Sequence, residues 1–295
     1  MEPGAVKIPS LGAAGTATLT KKGGSSSGRP RPATGKANVA VALLLCVSTL
    51  ENAAAITLSP AETRRIGNKI WQNECNGTLA GLTAWNSGEN FASLGIGHFI
   101  WYPSGVRGPF EESFPKLVDF VAGRGAKLPA VLEPRGNCPW NSRAEFNGAS
   151  QTVRMKELRE FLANTVDLQA EFLVERLQKA LPKMLGETTP ARRAQVRQQF
   201  ERVANSAAGC YALVDYVNFK GEGVLATERY AGQGWGLLQV LEGMSQANTD
   251  REAVKNFAES ARRVLTNRVR NAPPSRNEAR WLPGWLSRIN TYVQN

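Results

Sequence analysis

A short run of strand and turn signals, residues 82–101, interrupts a sequence otherwise patterned for helices and restricts the chain to a mostly α, α+β fold. Leu82 to Trp85 reads as a strand, Asn86, Ser87, Gly88 and Glu89 as a turn, and Asn90 to Trp101 as a longer strand. Ahead of this hairpin, Ser59, Pro60, Ala61 and Glu62 form a capping-box sequence with proline at the first helical position, so a helix is expected to start there. Ile66, Ile70 and Glu74 lie four residues apart on one face of that helix. A carboxylate that continues an apolar stripe enters a partly desolvated place, so the pKa of Glu74 is expected to rise, as a general acid requires.

From Ser150 onward the periodicity is helical. Leu158, Phe161 and Leu162 mark one helix, and Leu168, Phe172, Leu177 and Leu181 a second. Thr189 and Pro190 open a third, which carries Val196, Phe200 and Val203. Tyr211 to Gly223 is an apolar helix running into a glycine-rich break that holds Glu222. Thr249 with Glu252 and Ser275 with Glu278 are capping boxes, which predict two closing helices. Between hairpin and helices, residues 103–150 contain one short helix, about Pro115 to Ala122, and a Gly- and Pro-rich stretch, expected to be an insertion or lid over a groove.

Residues 1–36 are rich in Gly, Ser, Pro, Ala and Lys and are expected to be a disordered arm. Residues 37–55 have the order of a signal peptide, with Lys36 ahead of the apolar run Val39 to Leu50 and Ala53, Ala54 and Ala55 after it. The run is too short to span a bilayer comfortably, so export to the periplasm or exterior is expected, with 56–295 as the domain and no stable membrane span. The formal net charge is +11 with a pI of about 9.8. Six of the 36 basic and two of the 25 acidic side chains lie in residues 1–55, so the remainder stays basic and is drawn to polyanions. Nucleic acid is not the expected partner. One histidine and four scattered cysteines make no zinc-ligand spacing, and no Lys/Arg run exceeds two residues. No metal and no cofactor is expected. In an oxidising compartment one disulfide is allowed, and Cys75 with Cys138 is the pairing expected.

The early Glu74 at a helix end, a turn-rich hairpin, and Ser93 followed by Gly95, Ile96, Gly97 and His98 together resemble the amino-terminal lobe of phage-type lysozymes. That family's motif runs Glu, a hairpin with a second polar residue, then Thr and Gly-x-Gly-His. The resemblance implies a lysozyme-like fold, with a small β-hairpin lobe and a helical lobe. On this matching Glu74 takes the place of the acid and Ser93 that of the threonine. The loop here is several residues longer, and Asn86 or Ser87 stands where an aspartate is expected, with Glu89 a little further on. The helix ending at Gly221 and Glu222 resembles the family's central helix, and Pro273 to Arg276 its Pro-x-Arg turn. Tyr230 to Val240, with Gly236, Leu237, Leu238 and Gln239, is similar to a Gly-Leu-Met-Gln segment of lytic transglycosylases and goose-type lysozymes.

The function these resemblances imply is muramidase-like cleavage of a β-1,4 bond in peptidoglycan or a related amino-sugar polymer. Glu74 would donate the proton, Glu89 would be the second catalytic group, and Ser93 could position water. Glu222 is the reserve acid, for a transglycosylase. His98, Tyr230, Gln233, Trp235 and Gln239 are expected to bind substrate, the aromatics through flat faces suited to sugar rings and Gln233 through its amide. Two other readings remain open: a non-catalytic wall-binding protein on the same fold, and a Cys-His hydrolase using Cys75 or Cys210 with His98.

Overall fold

A computed structural model describes residues 56–294; the arm 1–36 and the signal-like segment 37–55 lie outside the described residues. The protein is mostly helical, with a three-stranded and a two-stranded antiparallel sheet. Helix α1 (Pro60–Cys75) starts where the capping box places it. The Ser59 hydroxyl accepts from the Glu62 amide, and the Glu62 carboxylate accepts from the Ser59 amide at 2.9 Å. Ile66 and Ile70 on its inner face are buried, and the helix ends at Asn76 in the left-handed region. Burying each such side chain is worth roughly 1.5–3 kcal/mol.

The hairpin segment forms three strands. β1 (Thr83–Ala84) pairs with β2 (Ala92–Leu94), and β2 pairs with β3 (Phe99–Trp101), in antiparallel order with Ser93 opposite Ile100. The long strand expected over 90–101 is broken at Gly95 to His98, where Gly95 (φ 71°) and His98 (φ 49°) both take left-handed backbone. The cause is a side chain 73 residues downstream of Ile96. Gln169 of α5 (Val166–Glu187) is fully buried, and its Oε1 accepts from the Ile96 amide at 2.9 Å. Its Nε2 donates to the carbonyl of Leu162 and to Thr165 Oγ1. A Cβ on residue 95 would lie 2.3 Å from that Oε1, so only glycine fits.

Residues 103–150 contribute side chains to the core. Helix α2 (Phe114–Gly123) buries Phe114, Leu117, Val118 and Val121. Trp140 packs edge-on against Trp101 and against Phe146 of α3 (Arg143–Gly148), and the Trp101 indole donates to the Gly136 carbonyl. Only a short part of this stretch, around Phe110 to Ser113, reaches the groove described below.

Helices α4 (Val153–Asn164), α5 and α6 (Pro190–Ala204) follow the expected periodicities. Helix α7 (Ala207–Lys220) follows, in which Cys210 through Tyr216 are all buried. A helix apolar on every side belongs in the middle of a domain, and α7 touches α1, α5, α6, α8 and α9. It stops at Gly221 (φ 84°), where a Cβ would meet Glu228 Oε1 at 1.9 Å. Beyond it come β4 (Arg229–Tyr230), β5 (Gln233–Gly234), α8 (Leu237–Glu242) and α9 (Asp250–Asn271), the last capped by Thr249 as predicted.

Two further expectations are corrected. Ser275 and Glu278 do not cap the final helix, which is α10 (Leu282–Asn290) after two short 3-10 turns. The Glu278 carboxylate is instead taken by Arg268 at 2.7 and 2.8 Å and by the Tyr230 hydroxyl at 2.9 Å. Cys75, Cys138 and Cys210 are all free thiols. Cys75 lies against Gly95 just before β3, whereas Cys138 hydrogen-bonds Tyr102 just after it, so strand β3 separates the expected pair. Among the described residues no helix is long and apolar enough to cross a membrane.

Replacing Gln169 with Leu keeps the volume and leaves the Ile96 amide unpaired in the core. We expect a loss of about 2 kcal/mol of stability in urea denaturation; an unchanged midpoint would show that Gln169 does not hold the turn.

Candidate active site

A cavity of about 320 Å³ opens between the three-stranded sheet and the carboxyl end of α7, lined by Glu74, Glu89, Ser93, His98, Asn218 and Lys220 among others. Glu74 reaches it from the last turn of α1, Glu89 from the hairpin, and Ser93 from β2. His98 comes from the turn that Gln169 holds. Glu74, Glu89, Ser93 and His98, chosen from the sequence, therefore meet at one place.

Glu74 does not stand alone there. Arg288 of α10 donates from Nη2 to Glu74 Oε1 at 2.6 Å and to Asp215 Oδ1 at 2.8 Å, and from Nε to Asp215 Oδ2 at 2.8 Å. Asp215, fully buried in α7, also accepts from the Tyr292 hydroxyl at 2.7 Å and from Asn73 Nδ2 at 3.1 Å. Asn218 donates to Glu74 Oε1 at 3.4 Å, and His98 Nδ1 lies 3.8 Å from Glu74 Oε2. Burial alone would raise the Glu74 pKa. The Arg288 charge and hydrogen bond, with His98 and Asn218, outweigh it and hold the carboxyl below its ordinary value. The expected upward shift is thus overturned, because an arginine 214 residues away completes the site.

Glu89 behaves in the opposite way. Burial pushes its pKa up, only partly offset by hydrogen bonds with Asn86, whose Nδ2 lies 3.1 Å from Glu89 Oε2. Among the carboxyls on this cavity, Glu74 is therefore shifted downward and Glu89 upward. Pairs of this kind can divide acid and base roles.

Cys75 Sγ lies 3.6 Å from His98 Nε2. Burial, reinforced by the Glu74 charge, pushes this thiol well up, and burial also pushes Cys210 up to about 11. Neither supplies the thiolate that a Cys-His hydrolase needs.

Glu222 is not on this cavity. It lines an adjoining one of about 420 Å³, where Lys183 Nζ bonds its carboxylate at 2.9 Å. The two cavities share Glu111, Arg176, Val217, Asn218, Gly221 and Glu228, so together they make a continuous groove. Burial raises the pKa of Glu228, whose carboxylate accepts from the Leu225 amide.

The expected sugar-binding segment lies off both cavities. Trp235 is buried and packs against Tyr230 with the rings tilted by 49° and their centroids 4.5 Å apart. Gln239 spends its amide on Gly236 and Gly223, at 3.0 and 3.1 Å. Gln233 is exposed and bonded to Asn271. In their place the cavity wall is built by Val217 to Gly221, Arg268 and Trp285. Sequence reading missed Arg288, Asp215, Asn218 and Lys220. The one available signal was Asp215, a charge in the middle of an apolar helix, which demands a buried partner. Among the described residues no group of acidic, histidine or cysteine side chains could hold a metal ion.

Compared with protein-family models, curated proteins and solved structures, the chain gives no match.

Replacing Arg288 with Met leaves Glu74 and Asp215 facing each other without the cation. Denaturation should show a loss of about 3–5 kcal/mol near neutral pH. The sign with pH follows from the lowered pKa of Glu74. Its pairing contributes fully above the unfolded value of 4.5 and is lost as pH falls through the lower folded value. The gap between wild type and R288M should therefore narrow on acidification, and a gap that widens there would contradict the pairing.

Proposed function

We propose that this chain is an exported glycoside hydrolase of the lysozyme-like kind, cutting β-1,4 bonds in peptidoglycan or a related amino-sugar polymer. The observation that carries the reading is the pair of oppositely perturbed carboxyls, Glu74 and Glu89, on one cavity. Glycoside cleavage needs one carboxyl that holds a proton and a second group that stabilises positive charge at the anomeric carbon or directs water to it. The continuous groove suits a polymer, and the basic chain suits an anionic wall. A binding protein on the same fold would have no use for a second carboxyl beside Glu74.

The roles follow from protonation. Glu89 carries the proton to the leaving oxygen, and the bond from that oxygen to the anomeric carbon breaks. Glu74, charged and fixed by Arg288, stabilises the oxocarbenium-like centre. Water then adds to the anomeric carbon and its proton returns to Glu89. Ser93 and His98 sit where they can orient the water or the sugar hydroxyls. This exchanges the roles that the family resemblance implies, because a carboxylate bonded to a guanidinium is a poor proton donor. Glu222, paired with Lys183 in the neighbouring cavity, has no part in the step.

Degradation of purified peptidoglycan, followed across pH, tests this. Both Glu74→Gln and Glu89→Gln should lose at least about a hundredfold in rate. The residual activity of Glu89→Gln should lack the alkaline limb of the profile, and that of Glu74→Gln the acidic limb. The opposite assignment of limbs would restore Glu74 as the acid. Wall binding without cleavage by the wild type would leave the binding-protein reading, and anhydro ends on the products would indicate transglycosylation.

A further inference from the structure

Lys220 is the last residue of α7, is only 4% exposed, and lines the cavity that holds Glu74 and Glu89. Its Nζ lies 3.5 Å from the ring centre of Trp285 and 3.8 Å from that of Phe219. Among the described residues it makes no hydrogen bond and no ion pair. The charged groups around it come from α1, α7, α9, α10 and the 3-10 turn that holds Glu278. Arg268 of α9 is matched by Glu278, and Arg288 of α10 is shared between Asp215 of α7 and Glu74 of α1. Glu278, Asp215 and Glu74 are thus all bonded to the two arginines, and none of them is bonded to Lys220. Buried cations are ordinarily paired, and aromatic faces replace only part of the hydration an ammonium gives up.

We propose that Lys220 receives a carboxylate of the substrate, making it the residue that selects an acidic sugar in this groove. The inference rests on the glycoside-hydrolase reading and sharpens its substrate. On a peptidoglycan strand the sugar carboxyl is the lactyl group of the muramyl unit, which is free only where the stem peptide has been removed. An ammonium on the cavity wall with no carboxylate bonded to it favours a free carboxyl over the amide that a stem peptide makes of it. The preferred substrate is therefore a peptide-free strand, and an amide-hydrolysing reaction must come before this one.

Proton linkage gives the proposal a signature that a purely structural lysine lacks. Burial, with Arg268 and Arg288 nearby, holds the Lys220 pKa well below its ordinary value, with Glu278 and Glu74 opposing only in part. An arriving carboxylate favours the charged form and opposes that shift, so binding is linked to proton uptake. The test is titration calorimetry of the whole protein, in two buffers of different ionisation enthalpy. The ligands are a disaccharide containing N-acetylmuramic acid and the same disaccharide with its lactyl carboxyl converted to the carboxamide. The acid should bind about tenfold to a hundredfold tighter than the amide, the gain expected of a charge-assisted hydrogen bond, and with proton uptake. Lys220→Met, which keeps the stem packed on Trp285 and Phe219, should abolish both the preference and the uptake.

Equal binding of acid and amide by the wild type overturns the role of Lys220 while leaving the hydrolase reading in place. Failure of the wild type to bind either disaccharide overturns the substrate assignment itself. A wild type that prefers the acid without proton uptake also overturns the proposal, and this readout needs no variant. Retention of the preference in a folded Lys220→Met protein would place the carboxylate elsewhere.

Discussion

The shared guanidinium of Arg288 is the contact on which the rest of this protein turns. It closes α10 onto α7 through Asp215 and onto α1 through Glu74, with Tyr292 and Asn73 completing the ring of hydrogen bonds. Two carboxylates around one arginine in the interior would be costly without it, since each charge has given up its water. The same contact decides chemistry, because a carboxyl so held stays charged. Stability and the character of the site thus have a common origin, and the packing of α10 on α7 and α1 cannot be altered there without altering both.

A second constraint works from the other side of the groove. Gln169 satisfies the Ile96 amide and forces the turn that presents His98 and ends β2, and glycine at 95 is what lets the glutamine approach so closely. Ser93 owes its place on the cavity to the register this turn fixes, Leu94 opposite Phe99 and Ser93 opposite Ile100. The two pins are independent in sequence, yet both act on residues within one turn or one strand of the cavity. Between them, Glu89 sits on the longer hairpin loop, tied down by Trp85 and Asn86, and keeps the burial that raises its pKa.

The cavity is chemically mixed. Carboxyls of opposite tendency stand on the sheet side and on α1, and an unpaired lysine stands at the end of α7. Opposed perturbations in so small a space are what a reaction with separate proton-donating and charge-stabilising steps requires. The aromatic residues that the sequence offers most openly, Tyr230 and Trp235, serve packing, with Trp235 under Arg268 at 4.1 Å and Tyr230 bonded to Glu278.

What the sequence by itself determined was local. The capping boxes at Ser59 and Thr249, the apolar stripes of α1 and α4 to α7, and the glycine-rich turn before His98 all depend on residues within a few positions of one another. The meeting of Glu74 with Ser93 and His98 was also legible, since only 24 residues separate the first from the last. Only the tertiary structure decided the sign of the Glu74 pKa, the separation of Cys75 from Cys138, the packing of 103–150 into the core, and the use of Glu278 by Arg268. Each turns on a partner between 10 and 214 positions away, or on which face of an element is covered. Spacing along a chain fixes which residues share a face; it carries no record of which charge from a distant helix will be buried against that face, and the electrostatics of the site are set by that charge.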